Sequence, residues 1–188
     1  TAKIRAGWDD TCINPVLVAK TDEDSGADMV TVHPRTRMQM FTGKANWDII
    51  ADVKRAVKIP VAGNGDIHNC YDAEKMLKQT GCDAVAVGRS SVGNPWIFRD
   101  ILAYLGKGEI PAVPSIGEKQ RVIMEHYMKM IAKKGEAKGS KEFRKHVLSY
   151  IKGLPNAKRV RELCNKLEKA ADLEPILTAM EEVKIGQA

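Results

Sequence analysis

The sequence is poor in the features that most often announce a function. No run of 18 apolar residues occurs anywhere in its 188 positions, so no segment is long enough to cross a bilayer as a helix. No secretory leader precedes the first strand-like stretch, which opens at Thr1 without a Met, as in a piece of a longer chain; a cytoplasmic location is expected. Cysteines number four, Cys12, Cys70, Cys82 and Cys164. They form no C-x-x-C pair and match no zinc spacing, so neither a zinc finger nor a disulfide framework is supported. Cys82, ahead of a buried strand, and Cys164, in a helical pattern, read as small core residues. The histidines, His33, His68, His126 and His146, are too scattered to form a metal constellation. G-x-G-x-x-G and G-x-S-x-G are both missing, which removes support for a dinucleotide fold and for an α/β-hydrolase elbow. Internal repeats and low-complexity tracts are absent as well.

What is present is first an uneven charge. Residues 1–114 hold 14 Lys and Arg against 14 Asp and Glu, whereas 115–188 hold 16 against 10 and carry the whole net charge of +6. Between 129 and 161 the count is 11 against 2. Lys141, Arg144 and Lys145 lie one, three and four positions apart, on one helix face. A rigid basic face of this kind suits the phosphates of a folded RNA, and equally a merely solvated helix.

The pattern divides in two. Up to about residue 108, β-branched or small apolar runs alternate with helical ones. Strands are predicted at Ala2–Arg5, Met29–His33, Ile59–Gly63 and Ala84–Val87. Helices are predicted from Pro15 to about Asp24, Trp47–Val57, Tyr71–Gln79, and after Pro95 to about Leu105. The β-α alternation implies parallel strands with right-handed crossovers. A stretch rich in Gly and Pro, Gly106–Gly117, marks a boundary. Beyond it only helical patterns remain: from Ser115 or Gly117, then Lys141–Leu154, Ala157–Ala171 and Glu174–Val183. Four such helices suggest a small bundle.

The stretch from Val85 to Trp96 is the most informative. Ala84–Val87 reads as a short buried strand that runs into Gly88-Arg89, a glycine turn, and Pro95 at a helix start. Backbone N–H groups gathered there, with the Arg89 charge beside them, would make an anion site; the same residues equally read as an ordinary strand-to-helix turn with a surface Arg. The other strands also end in polar groups: Lys3 and Arg5, His33 and Arg35, Asn64 and Asp66. In a parallel barrel all these ends lie on one face, where active sites are built.

These residues carry a resemblance. Val32-His33-Pro34-Arg35-Thr36-Arg37, Gly63-Asn64-Gly65-Asp66-Ile67 and Val87-Gly88-Arg89, with Gly93-Asn94-Pro95-Trp96-Ile97-Phe98, resemble motifs of the tRNA-dihydrouridine synthases, the bacterial DusB-like branch above all. Lys3-Ile4-Arg5-Ala6-Gly7-Trp8-Asp9 and Arg144-Lys145-His146-Val147 are similar to that family's motifs too.

The resemblance implies an α/β fold: the C-terminal half of a (β/α)8 TIM barrel (strands five to eight, residues 1–108), then a small all-α bundle that binds tRNA (residues 109–188). It implies FMN as cofactor, NADPH as its reductant, and hydride delivery to the C5–C6 bond of a uridine in tRNA. Lys3 and His33 would contact the flavin, and Asn64, Gly65 and Asp66 its ribityl chain and phosphate region. Gly88 and Arg89 would hold the phosphate. Arg35, Arg37, Arg144 and Lys145 would contact tRNA, the first two alternatively FMN. The family's catalytic Cys belongs to the missing first half, so no catalytic residue is assigned here. Activity and firm FMN binding are not expected of the 188 residues alone, and the full-length protein is expected to be a monomer without metal or membrane. Pro34 departs from the Gly usual at that position; it fixes φ and removes an N–H, which leaves the geometry of that loop open. The alternatives are another FMN barrel, such as a dihydroorotate dehydrogenase, or a non-enzymatic RNA-binding module.

Overall fold

The computed structural model describes residues 1–154 and 157–185. It divides into two compact units, residues 1–91 with 97–110, and residues 92–96 with 111 onward. Among the described residues no helix is long and apolar enough to cross a membrane.

The first unit is a four-stranded parallel sheet in the order β1 (Ala2–Arg5), β2 (Val30–His33), β3 (Val61–Asn64), β4 (Ala84–Ala86). Between the strands run α1 (Pro15–Asp24), α2 (Asp48–Ala56) and α3 (Cys70–Thr80), and α4 (Trp96–Lys107) follows the last. Each start has a local cause. Pro15 sits at the first turn of α1, where a missing N–H costs nothing. The Asn69 side chain accepts the Asp72 N–H at the head of α3, and Gly81 ends that helix in the left-handed conformation. The core lies between sheet and helices: Val30, Val32 and Val61 from the strands meet Ala19, Ile50, Val53, Ala73, Met76, Ile97 and Ile101. Gly63 belongs to this packing. A Cβ there would come within 2.5 Å of the Met76 sulfur, so a larger residue would force the buried Met76 side chain to move.

The pleat sorts the other residues. Side chains two apart on a strand share a face, so Lys3 with Arg5, Thr31 with His33, and Ala62 with Asn64 stand opposite to the valines that meet the helices. The register aligns Arg5 with His33 and Asn64 with Ala86. Among the described residues, β1 and β4 each pair on one side only. In consequence β4 is not the buried strand expected from Ala84–Val87: Ala84 is exposed and Val85 and Ala86 are half-buried. Pro34 is accommodated. It is buried, and hydrogen bonding to the chain after β1 resumes at once, Ala6 N–H donating to the Arg35 carbonyl at 3.3 Å and Arg37 N–H to that of Gly7 at 2.9 Å.

The second unit packs α5 (Ile116–Lys134), α6 (Glu136–Tyr150), α7 (Lys158–Asn165) and α8 (Leu173–Ile185) around one apolar core that includes Ile123, Tyr127, Phe143, Val147, Val160, Cys164, Ile176 and Met180. Segment 92–96 belongs here, not with the residues before it, because Trp96 is buried in this core, with its indole N–H on Glu118 Oε1 at 2.6 Å. Three expected helix limits move. The second helix stops at Tyr150 and not Leu154, with residues 151–153 in a turn. It starts at Glu136 and not Lys141, since Gly139 is helical: a Cβ at that position would lie 3.0 Å from Ile131 Cα, so the glycine allows a close approach of α5. The third stops at Asn165 and not Ala171, because the Asp172 carboxylate draws the N–H groups of Glu168 and Lys169 into a separate turn. Of the expected 109–188 region, residues 155–156 and 186–188 lie outside the described residues.

Candidate functional site

A cleft of 490 Å³ opens over the strand ends of the first unit, within the range of small-molecule and cofactor sites. Lys3, His33, Asn64, Gly65, Asp66, Gly88 and Arg89 all line it. Seven residues from four strand exits thus meet in one place, because parallel strands with right-handed crossovers bring every carboxyl end to the same rim.

Side chains lace that rim. Asn64, at the end of β3, spans its neighbours: Oδ1 accepts from Lys3 Nζ at 3.0 Å, and Nδ2 donates to the Ala86 carbonyl at 2.6 Å. These partners fix the amide's orientation, since the ammonium only donates and the carbonyl only accepts. His33 Nδ1 donates to the Asn64 carbonyl at 3.2 Å. Nδ1 therefore carries a proton, and in the neutral ring Nε2 is the acceptor. Burial lowers the pKa of His33, with Arg5, Lys3 and Arg35 adding to the effect against the Asn64 hydrogen bond. Burial and the Arg5 charge likewise lower that of Lys3.

Asp66 anchors the other side. Arg35 Nη1 and Nη2 donate to its two oxygens at 2.9 and 2.8 Å, and Ala45 N–H to Oδ2 at 2.8 Å. Partial burial raises the Asp66 pKa, but the Arg35 hydrogen bonds, the Ala45 N–H and the Arg35 and Arg89 charges outweigh it and hold the carboxyl below its ordinary value. Asp66 has a φ of +54°, a left-handed conformation that Asp tolerates better than most residues. Gly65 before it has φ +127°, and a Cβ there would meet Ala45 Cβ at 3.1 Å and His33 Nδ1 at 3.3 Å. Gly88 differs. It is absent from the positive-φ glycines, and a Cβ on it would meet no atom within 4 Å. Among the described residues neither backbone nor packing demands glycine there.

Several expectations need correction. Arg35 is not available to tRNA or to FMN. It is 1% exposed, and its remaining donors go to the carbonyls of Thr42 (Nε, 3.1 Å) and Gly43 (Nη2, 2.6 Å). Arg144 is also engaged: Nε donates to the Leu167 carbonyl at 3.0 Å, and Nη2 lies 3.6 Å from Glu168. One residue on, about 100° around the helix, Lys145 is exposed; the two do not share a face. Arg37 is exposed and touches the Met40 sulfur at 3.0 Å. After β4 the cleft is lined by Gly88, Arg89 and Ser90, at the short 3-10 turn Arg89–Ser91, whereas α4 begins only at Trp96, so the expected helix start does not reach the cleft.

The cleft also contains residues without a predicted role. Arg5 donates to the Thr36 carbonyl at 3.0 Å, His68 Nδ1 lies 3.2 Å from Ser90 Oγ, and the Phe41 ring lies under Arg89. Arg5 is marked in the sequence as a polar strand end beside Lys3, but no contact is assigned to it there. Phe41 and His68 lie in irregular segments with no periodic signal. Among the described residues no group of three or more His, Cys, Asp or Glu could hold a metal ion. The cleft offers cations, amide and imidazole groups, chemistry that suits an anionic, hydrogen-bonding organic ligand.

Comparison with known proteins agrees over nearly the whole chain. A family model described as dihydrouridine synthase matches residues 1–185. A relative named "Probable tRNA-dihydrouridine synthase" from Rickettsia conorii is 44% identical over 165 residues, 88% of this chain and 50% of the relative. The tRNA-dihydrouridine synthase B of Pseudomonas aeruginosa is 44% identical over 169 residues, 89% and 51%. That of Pectobacterium carotovorum is 40% identical over 172 residues, 92% and 54%. The chain spans about half the length of the curated relatives it matches.

Proposed function

The chain belongs to the dihydrouridine synthase family, and from that membership we propose that it is the C-terminal part of an FMN enzyme that reduces uridine to 5,6-dihydrouridine in tRNA, with NADPH as reductant. In this reading the four strands are the fifth to eighth of a (β/α)8 barrel in residues 1–108, and residues 109–188 are a helical tRNA-binding domain. The open outer edges of β1 and β4 support it, as does the apolar groove beside β4, where Leu77, Val85 and Val87 meet the exposed Phe98, Leu102 and Leu105. Surface of this kind is costly to leave in water and suits cover by further strands and helices.

The observation that carries the reading is the convergence of Lys3, His33, Asn64 and Arg89 on one cleft. Gly88 and Arg89 would hold the FMN phosphate, and Gly65 and Asp66, with Asn64, its ribityl chain. Lys3 and His33 would face the flavin. When bound, FMN would supply the hydride chemistry that no side chain here provides. Lys3 would supply a positive charge to a flavin held in the cleft, and so favour the electron density that develops on it. Neutral His33 adds a lone pair rather than a second charge beside Lys3 and Arg5, and Asn64 fixes the Lys3 ammonium in place. Asp66 balances Arg35 and leaves Arg89 to the phosphate. The exposed Lys145 and Arg37 would meet tRNA phosphates, while Arg35 and Arg144 act through the shapes they hold. The enzyme would work in the cytoplasm as a monomer, on a base taken out of its stack.

Two measurements test this. The purified full-length protein should show a flavin spectrum, and tRNA from a strain lacking it should lose dihydrouridine at one or more positions. A colourless protein together with an unchanged dihydrouridine map would overturn the proposal. The 188-residue chain alone should bind FMN weakly and show no turnover; robust uridine reduction by it would refute the half-barrel part.

A further inference from the structure

Phe41 lies in the loop after β2, half in solvent at 52% exposure. It lines the cleft, and the Arg89 guanidinium carbon lies 4.5 Å from its ring centroid. Among the described residues, Arg89's other polar contact is distant, Nη2 to Asp66 Oδ1 at 3.5 Å, and that carboxylate is already bound by Arg35 and Ala45. The loop that carries Phe41 is tied down: the carbonyls of Thr42 and Gly43, the next two residues, both accept from buried Arg35. A closed circuit results. Asp66 holds Arg35, Arg35 holds the loop, the loop presents Phe41, and Phe41 lies against Arg89, which returns to Asp66.

An exposed arginine samples many rotamers, and binding through it costs the entropy of choosing one. A second carboxylate could fix it but would cancel its charge. A ring face attracts the guanidinium through its quadrupole and takes up none of the N–H donors. We propose that Phe41 is a positioning residue: its ring holds the Arg89 guanidinium at the cleft wall, charged and with donors free, to receive the phosphate of a phosphorylated ligand. This rests on the reading that FMN phosphate docks at Gly88 and Arg89, and adds a residue which that reading does not use.

The test uses the intact protein with F41L, F41Y, R89A and the F41L/R89A double variant. FMN and riboflavin are titrated by flavin fluorescence, and inorganic phosphate by the Arg89 Nε–H NMR signal. F41L is expected to weaken FMN about two- to five-fold with riboflavin affinity unchanged, since riboflavin lacks the phosphate. F41Y retains the ring and should bind like the parent. In the R89A background F41L should cost nothing more. Equal FMN affinity in F41L and parent overturns the proposal. So does an equal loss for riboflavin, which would place the ring on the flavin itself. If the parent binds no FMN, the cofactor reading fails separately. A phosphate response at Arg89 that F41L weakens and F41Y keeps then sustains the positioning role, and a response that ignores Phe41, or none, ends it.

Discussion

Arg35 and Asp66, 31 residues apart in the chain, form a two-pronged ion pair at 2.9 and 2.8 Å with the guanidinium almost wholly buried. The planar fork matches the carboxylate, and its remaining donors hold the loop at Thr42 and Gly43. Removing the charge of one partner strands the other in a dry site. Asp66→Asn is therefore expected to lower the unfolding free energy by about 3 kcal/mol. Urea denaturation measures it, and a loss below about 1 kcal/mol would contradict the structural role. Because the folded pKa of Asp66 is depressed, its contribution is present above the ordinary carboxylate pKa and is lost as pH falls through the lower folded value.

Gly65→Ala should also be costly. The position needs φ +127°, and the new methyl would press on Ala45 and His33. A loss of about 1–3 kcal/mol is expected, with weaker FMN binding, since the His33 ring must move. Unchanged melting would show that the turn relaxes more freely than its contacts suggest.

His33 makes a pH prediction. Its folded pKa is lowered, so below about pH 6.5 the unfolded chain binds a proton that the folded one resists. Stability should fall as pH drops from the ordinary histidine value through the folded one. His126 and His146 are lowered too, burial being the leading cause in each, so the parent's slope is a sum. His33→Asn should make the slope of unfolding free energy against pH shallower. An identical slope in the variant would rule out the His33 part.

In the helical unit, Arg144 and Lys145 should separate by readout. Lys145→Ala removes an exposed charge, and is expected to reduce the slope of log affinity for tRNA against log salt by about 1 with melting unchanged. Arg144→Ala removes the donor to the Leu167 carbonyl, and should lower the unfolding free energy by about 1 kcal/mol. If Lys145→Ala leaves the salt slope untouched, that face does not meet the RNA.

The cysteines offer a chemical check. Cys70, Cys82 and Cys164 are buried and Cys12 is exposed, and burial pushes the Cys164 thiol up to about 11. Of these four thiols only that of Cys12 should react with a disulfide reagent in native protein at mildly alkaline pH, and Cys12→Ser should remove that reaction. Fast reaction of a second thiol would mean that a core opens.

Much of the site could be read in the sequence because its parts obey local rules. Lys3 with Arg5, His33 with Arg35 and Asn64 with Asp66 are pairs two residues apart at strand ends, and a parallel alternation sends such ends to one rim. Asn69 and Gly81 bounded α3 by capping chemistry that needs no tertiary contact. The errors fall where a residue's role depends on a distant one. Gly139 reads as a loop until α5 lies against it, and Ala84–Val87 reads as buried until β4 proves to pair on one side only.

What the order of residues settled unaided was the alternation of elements, the family, and the side of the sheet that gathers polar groups, since each follows from period, turn chemistry or motif along a few positions. What needed three dimensions was the division of labour among the cations. Arg35, Arg89, Arg144 and Lys145 are alike as letters, but only folding decides which are buried against a carboxylate or carbonyl, which rests on an aromatic face, and which is left in water. A charge acquires its task from its partners and its dielectric surroundings, and neither is written beside it in the chain.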